Sequence, residues 1–267
     1  VGVTMRLFVP EDLAPGQREQ CHILEDLQDA RTVAGQLGIP HHTLDLSGLF
    51  REQVMEPFVQ AYEQGRTPNP CVTCNRTIKF GALLEVAGQL GCGRLATGHY
   101  ARTERDTGSG RVLLKRAVHP EKDQSYVLWS LSQAQLERVC FPLGGLSKEE
   151  IRAIAEEQGL VSARRRDSQD ICFVPDGDYA RFIERYTGKV PETGDFLDPE
   201  GKRIGTHRGV IHYTIGQRKG LGISAPHPLY VCDICPADNT VTLGYSENLF
   251  SRKLTASDVN LISCDSL

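Results

Sequence analysis

Over the first hundred residues, short apolar runs alternate with helical periods, and this alternation restricts the fold more than any other feature of the chain. Residues 3–9 read as a strand. Ile23, Leu24, Leu27, Ala30, Ala34 and Leu37 then recur at helical spacing, and Gly38 is placed to end that helix. Residues 43–46 read as a second strand. Leu49, Val54, Phe58 and Tyr62 mark a second helix, stopped near Gly65. After a loop at 66–74, a third helix is expected to begin near Asn75, with Phe80, Leu83, Leu84, Ala87 and Leu90 on one face. Residues 94–97 form a third strand. Such alternation means βαβ units and a parallel sheet, with ligands at the carboxyl ends of the strands.

Further along, residues 101–104 and 112–116 flank Asp-Thr-Gly-Ser-Gly at 106–110, which reads as a hairpin. Ser147-Lys-Glu-Glu150 reads as a capping box opening a helix to about Gln158, with Gly159 behind it. Beyond about Asp176 glycine, threonine and β-branched residues rise. Alternating runs at 210–215, 230–234 and 240–243 predict a mostly-β second domain. The expected division is an α/β domain at 1–175, a β-rich domain at 176–248 and the start of something new at 249–267.

Composition adds exclusions. At 267 residues, 40% hydrophobic and 24% charged, the chain is ordinary globular protein that needs no disulfide or metal staple. No run approaches the roughly 18 apolar residues of a membrane-spanning helix. A net charge of −4 excludes a uniformly basic nucleic-acid binder, though not a local basic face. Nine cysteines, an odd number, argue against a disulfide scaffold and for a reducing, cytoplasmic compartment, an organellar matrix being the alternative. The chain opens on Val1 without a basic n-region or cleavage site, so it reads as a fragment without a signal peptide.

Several constellations could carry chemistry. In GRTPNPCVTCNRTIKF at 65–80, two prolines hold the loop extended and Cys74 falls just before the expected helix. A helix N-terminus favours the thiolate, so Cys74 reads as a nucleophile of lowered pKa. Cys71 and Cys74 also have the spacing of a zinc half-site or redox pair. Cys232 and Cys235 repeat that spacing within an alternating apolar strand, which favours packing. Arg164, Arg165 and Arg166 precede Cys172 and could lower its pKa or bind phosphate. ATGHY at 96–100 ends the third strand, where Gly98 allows close approach of a ligand. Residues 121–126 are a polar cluster expected to open a short helix. From Gly201 to Cys232 there is no Asp or Glu, while Lys202, Arg203, Arg208, Arg218 and Lys219 are all present. That window is a local positive field suited to phosphates.

Taken together, GRTPNPCVTCNRTIKF, ATGHYAR, KDQSY at 122–126, FPLG at 141–144, DSQDICF at 167–173 and YTIGQRKGLG at 213–222 resemble the tRNA-specific 2-thiouridylases, the MnmA family. The resemblance runs in order over nearly the whole chain. It implies an ATP-pyrophosphatase-type α/β domain of the Rossmann-like HUP class, a small β-rich central domain and the stub of a C-terminal β-barrel. It implies ATP-dependent thiolation of C2 of the wobble uridine of tRNA, through adenylation and a cysteine persulfide relay. By resemblance Cys74 is the nucleophile and Cys172 carries the persulfide, the two ending as a disulfide or freeing hydrosulfide. Asn69, Pro70 and Cys71 face the target uracil, Met5 and Gly98 touch the adenine nucleotide, and His99, Lys122, Asp123 and Gln124 meet tRNA. Arg218 and Lys219 of the acid-free window are taken as further tRNA contacts. ATP with Mg2+ and a sulfur-donor protein, a relay protein or a cysteine desulfurase, are the implied cofactor and partner, with no resident metal site and no membrane. The family's phosphate loop lies ahead of Val1, so the chain alone is expected to be inactive and to bind ATP weakly. Two other readings stay open: a different ATP-pyrophosphatase-type enzyme, and a zinc- or cysteine-stabilised RNA-binding module without turnover.

Overall fold

The computed structural model describes residues 1–9, Asp12, 23–164 and 170–266. Strand β1 (Gly2–Arg6) is followed by helix α1 (Ile23–Gln36), which ends at Gly38 in the left-handed conformation (φ 64°). Strand β2 (His41–Asp45) returns beside β1 in parallel register, Gly2 opposite His41 and Arg6 opposite Asp45. Arg6 and Asp45 also form an ion pair at that end. Helix α2 (47–63) contains a widened π-type stretch, Arg51–Met55, between ordinary α-helical segments.

The third helix, α3 (70–89), is built from Pro70–Thr73, a π-type stretch Cys74–Ala82 and Leu83–Gln89. It begins at Pro70, not near Asn75. Asn69 is its N-cap, its Oδ1 accepting the Cys71 amide at 3.1 Å, and proline at the first helical position needs no amide partner. Cys74 is therefore a full turn inside the helix, its own amide bonded to the Pro70 and Cys71 carbonyls.

Strand β3 (Leu95–Ala96) leads into the hairpin β4 (Ala101–Arg105) and β5 (Val112–Arg116), which pairs antiparallel. The polar cluster at 121–126 is two short 3-10 turns, Pro120–Lys122 and Ser125–Val127. Helix α4 (Gln133–Glu137) and strand β6 (Val139–Cys140) follow, and β6 runs parallel to β3. Gly144 of the FPLG stretch lies so close to β4 that a Cβ there would meet the Ala101 carbonyl oxygen at 1.8 Å. Among the described residues of the α/β part the parallel strands form two separate two-stranded pairs, β1–β2 and β3–β6, rather than one continuous sheet.

Helix α5 (Lys148–Glu157) carries the expected capping box, Ser147 with Glu150. Helix α6 (Tyr179–Thr187) was not legible in the sequence. Its buried Phe182 and Ile183 join Phe50, Phe58 and Phe173 in one aromatic core, so it packs with the α/β part although it lies beyond Asp176. The β-rich part comprises β7 (Gly194–Leu197), β8 (Arg203–His207), β9 (Tyr230–Cys235) and β10 (Thr240–Gly244), in sheet order β8-β7-β10-β9. Residues 210–215, expected as a strand, are instead a 3-10 turn at Val210–His212 leading into extended chain. Phe196, Val231, Val241 and Leu243 fill this sheet's own core, and a register shift at Cys232 lets β9 bury both Val231 and Ile234, three residues apart, on one face.

Residues 258–265 form no strand. They return to the first domain, where Arg111 donates to the carbonyls of Leu261 and Ile262 at 3.0 and 2.9 Å. Asn260 donates to the carbonyls of Trp129 and Leu131, and Ile262 packs against the core under the hairpin. None of the helices among the described residues is long and apolar enough to cross a membrane.

Candidate active site

The loop at 65–69 and the first turns of α3 carry Asn69, Pro70, Cys71 and Cys74. Asn69 and Cys71 are exposed, whereas Pro70 and Cys74 are buried. Cys172 comes from the segment ahead of α6. It is held between Asp170, which accepts a hydrogen bond from Tyr179, and Phe173, which is 1% exposed among Phe50, Phe58 and Phe182. Cys172 lies within electrostatic reach of Cys74, Cys71 and Lys79, so helix and loop bring the three cysteines to one place. All three are free thiols.

Their protonation differs from the sequence expectation. Burial pushes the Cys74 thiol up to about 11, with Lys79 pulling the other way and Cys71 adding to the rise. Cys172 keeps accessible surface, although surrounding protein shields its sulfur from much of the water. Lost water solvation, with Cys74 and Cys71 beside it, pushes its thiol up to about 12. Burial raises Cys71 as well, against Lys79. Cys74 gains nothing from a helix terminus because it sits a turn inside α3 and away from the free amides. Of the arginines expected to lower Cys172, Arg165 and Arg166 lie outside the described residues, as does the Arg164 side chain. Lys79 is the residue that sequence reasoning missed: it was read only as part of a run, and its relation to the cysteines depends on helix geometry.

A cavity of about 650 Å3 opens beside this site, lined by Val1, Val3, Met5, Lys79, Leu83, Leu95, Thr97, Gly98, His99 and Gln124 among others. Met5 and Gly98 thus border one space, at the carboxyl end of β3 and along β1. Its apolar walls and size suit an adenosine-sized ligand.

His99, expected to meet tRNA, is buried instead. Its ring packs against both Phe80 and Phe141 at centroid separations of 5.7 and 5.9 Å, and Nδ1 shares a hydrogen bond with Thr97 Oγ1 at 2.8 Å. Burial, helped by Lys79, pushes its pKa down to about 3, so the ring is neutral at physiological pH. Asp123 is likewise turned inward: Oδ1 accepts the Ala117 amide at 2.8 Å and Oδ2 the Ser125 hydroxyl at 2.7 Å. Gln124 Oε1 accepts the Tyr100 amide at 3.0 Å and borders the cavity. Lys122 is half-buried. Arg218 and Lys219 are exposed in the β-rich part, and Thr214 ahead of them meets Thr67 of the cysteine loop, Oγ1 to Oγ1 at 3.0 Å. Cys232 and Cys235 lie on β9, half-buried. Among the described residues no group of three or more His, Cys, Asp or Glu side chains is placed to hold a metal ion.

Comparison with known proteins gives a consistent relationship. Residues 1–176 match the family model described as tRNA methyl transferase HUP domain, and residues 180–245 the one described as tRNA methyl transferase PRC-barrel domain. The chain is 50% identical over 268 aligned positions to the tRNA-specific 2-thiouridylase MnmA 2 of Thermoanaerobacter sp. (strain X514), covering all of this chain and 74% of that protein. It is 45% identical to the tRNA-specific 2-thiouridylase MnmA of Clostridioides difficile (strain 630), with the same coverage. The MnmA of Acetivibrio thermocellus is 45% identical, with all of this chain and 75% of that protein aligned.

Proposed function

This chain belongs to the tRNA-specific 2-thiouridylase family, and we propose that it replaces the C2 oxygen of the wobble uridine of a tRNA with sulfur. The observation that carries the reading is the gathering of Cys71, Cys74 and Cys172 beside an adenosine-sized cavity. A carbonyl oxygen is a poor leaving group. Bound ATP supplies the chemistry that turns it into a phosphate leaving group, and Met5 and Gly98 border the space that suits its adenosine.

The protein's own residues then handle sulfur. A donor protein loads Cys172 with a persulfide. Its terminal sulfur bonds to C2 as the activated oxygen departs. The Cys74 thiolate attacks Sγ of Cys172, the bond from Sγ to the transferred sulfur breaks, and the electron pair leaves on the thiocarbonyl. A Cys74–Cys172 disulfide remains for an external thiol to reduce. Asn69, Pro70 and Cys71 line the approach of the uracil. Lys122, Arg218 and Lys219 face tRNA phosphates, and His99, Asp123 and Gln124 shape the rim from within.

The test is 2-thiouridine content of tRNA from cells relying on Cys74→Ser, Cys172→Ser or Cys235→Ser enzyme, read by nucleoside mass spectrometry. Loss in the first two and retention in the third is expected. Full activity in either of the first two removes the relay. Loss only in the third, with bound zinc, favours an RNA-binding module, and a methylated rather than thiolated uridine restores the chemistry named in the family-model descriptions.

A further inference from the structure

Three thiols that stay protonated at neutral pH make a poor relay, so the site needs something that stabilises anionic sulfur. Lys79 is placed for it. In an α-helix, residues five apart point about 140° away from each other. Cys74 and Lys79 are five apart, and regular winding would turn the ammonium from the thiol. Between Cys74 and Ala82, however, the helix is of the wide π type, and the Leu83 amide reaches the Ile78 carbonyl five residues back. The wide turn brings positions five apart nearly onto one face. Cys71, a turn before Cys74, shares that face. Gly81 suits this winding, since a Cβ there would lie only 3.2 Å from the Arg76 carbonyl oxygen five residues back.

The surroundings of Lys79 point to an anionic partner. The residue is half-buried, and its side chain makes no hydrogen bond or ion pair with the described residues. It lies within electrostatic reach of Cys71 and Cys74 on its own helix and of Cys172 on the segment ahead of α6. From the strand side the neutral His99 is within reach, and Arg94 lines the same cavity. No carboxylate is among these groups. A half-buried ammonium with no counter-ion among the described residues is costly, and an anion arriving beside it recovers that cost.

We propose that Lys79 is the cation of the sulfur site, turned toward the cysteines by the wide winding of α3, and that it stabilises the thiolate or persulfide anion during transfer. The assignment rests on the sulfur-relay reading above. It adds a residue to that reading, and it explains why the helix carrying Cys74 is wound irregularly at Cys74 itself.

The experiment compares wild type, Lys79→Met and Lys79→Arg as full-length enzyme. Iodoacetamide alkylation of Cys74 and of Cys172 is followed separately by peptide mass spectrometry across pH, beside a pH profile of 2-thiouridine formation. Lys79→Met is expected to move the alkylation midpoints of both cysteines upward, to slow thiolation at neutral pH at least tenfold, and to restore part of it at higher pH. Lys79→Arg, which keeps the charge, is expected to stay near wild type in both. His99 gives a second reading when paired with a folding control: by NMR its imidazole should titrate at higher pH in Lys79→Met than in Lys79→Arg, with both proteins unfolding in urea at the wild-type midpoint. Unmoved cysteine midpoints in a folded Lys79→Met protein overturn the assignment while leaving the relay intact. Full thiolation by Cys74→Ser or Cys172→Ser overturns the relay itself.

Discussion

Tyr179 donates a hydrogen bond to Asp170 Oδ1 at 2.8 Å, across a sequence separation of nine that contains Cys172. The tyrosine ring is fixed in turn by Phe58, edge-on at 6.1 Å, and by Tyr62, stacked at 6.3 Å. Desolvation and the Asp170 carboxylate push the phenol up to about 12, so it donates throughout the working pH range.

Tyr179→Phe keeps the ring and removes only the hydroxyl. The expected stability loss is about 1 kcal/mol, the net worth of one such hydrogen bond. The larger effect is expected locally, with Cys172 alkylated faster and thiolation slower. Asp170→Asn retains an acceptor at Oδ1 and is expected to resemble wild type. Unchanged Cys172 reactivity in Tyr179→Phe, measured by the alkylation assay, would show that Phe173 alone secures the segment.

His99 makes stability depend on pH in a defined direction. Its folded pKa, about 3, lies below the ordinary 6.5 of an unfolded histidine. The unfolded chain therefore binds the extra proton first as pH falls, and the stabilisation present above pH 6.5 is lost progressively down to about 3. Between pH 7 and pH 5 the expected loss is about 2 kcal/mol from this residue. Urea unfolding of wild type and His99→Gln at both pH values measures it, and equal pH dependence in the two proteins would contradict it.

Arg218 and Lys219 are exposed, consistent with phosphate contact. Reversing both to Glu is expected to weaken tRNA binding and to flatten the dependence of log affinity on log salt by about one unit per lost contact. Cys74 and Cys172 alkylation should not change. A filter-binding salt series gives the slope, and an unaltered slope would leave this face without a tRNA role.

The parts of this fold that follow from local pattern were readable in the sequence. The capping box at Ser147, the hairpin around residues 106–110 and the strand at 240–243 depend on turn chemistry and period-two burial, while the strand at 230–234 was legible although a register shift breaks its period. Cys71, Cys74 and Cys172 stood out because their neighbours matched an ordered set of motifs. What escaped was set by tertiary contact. The start of α3 was misplaced because Pro70 was read as part of an extended loop rather than as a first helical residue capped by Asn69. Helix α6 was hidden because its aromatic residues are paired with Phe58 and Phe173, far away in sequence. The thiol protonation was misjudged for the same reason, since desolvation depends on what surrounds a side chain. His99 and Asp123 look like surface polar groups in one dimension and turn inward in three.

The return of residues 258–265 to Arg111, Gln133 and the backbone beside Trp129 changes how the β-rich part can move. Its polypeptide enters from α6, which is embedded in the aromatic core, and leaves into this second anchorage on the same first domain. A body attached by one strand of chain can swing like a door. One attached at two separated points is restricted in that swing, and Ile211 seated in the aromatic core restricts it further. The Thr214 to Thr67 contact lies on that body, so any such rocking would press on or release the loop ahead of Cys71 and leave the spacing within α3 unaltered.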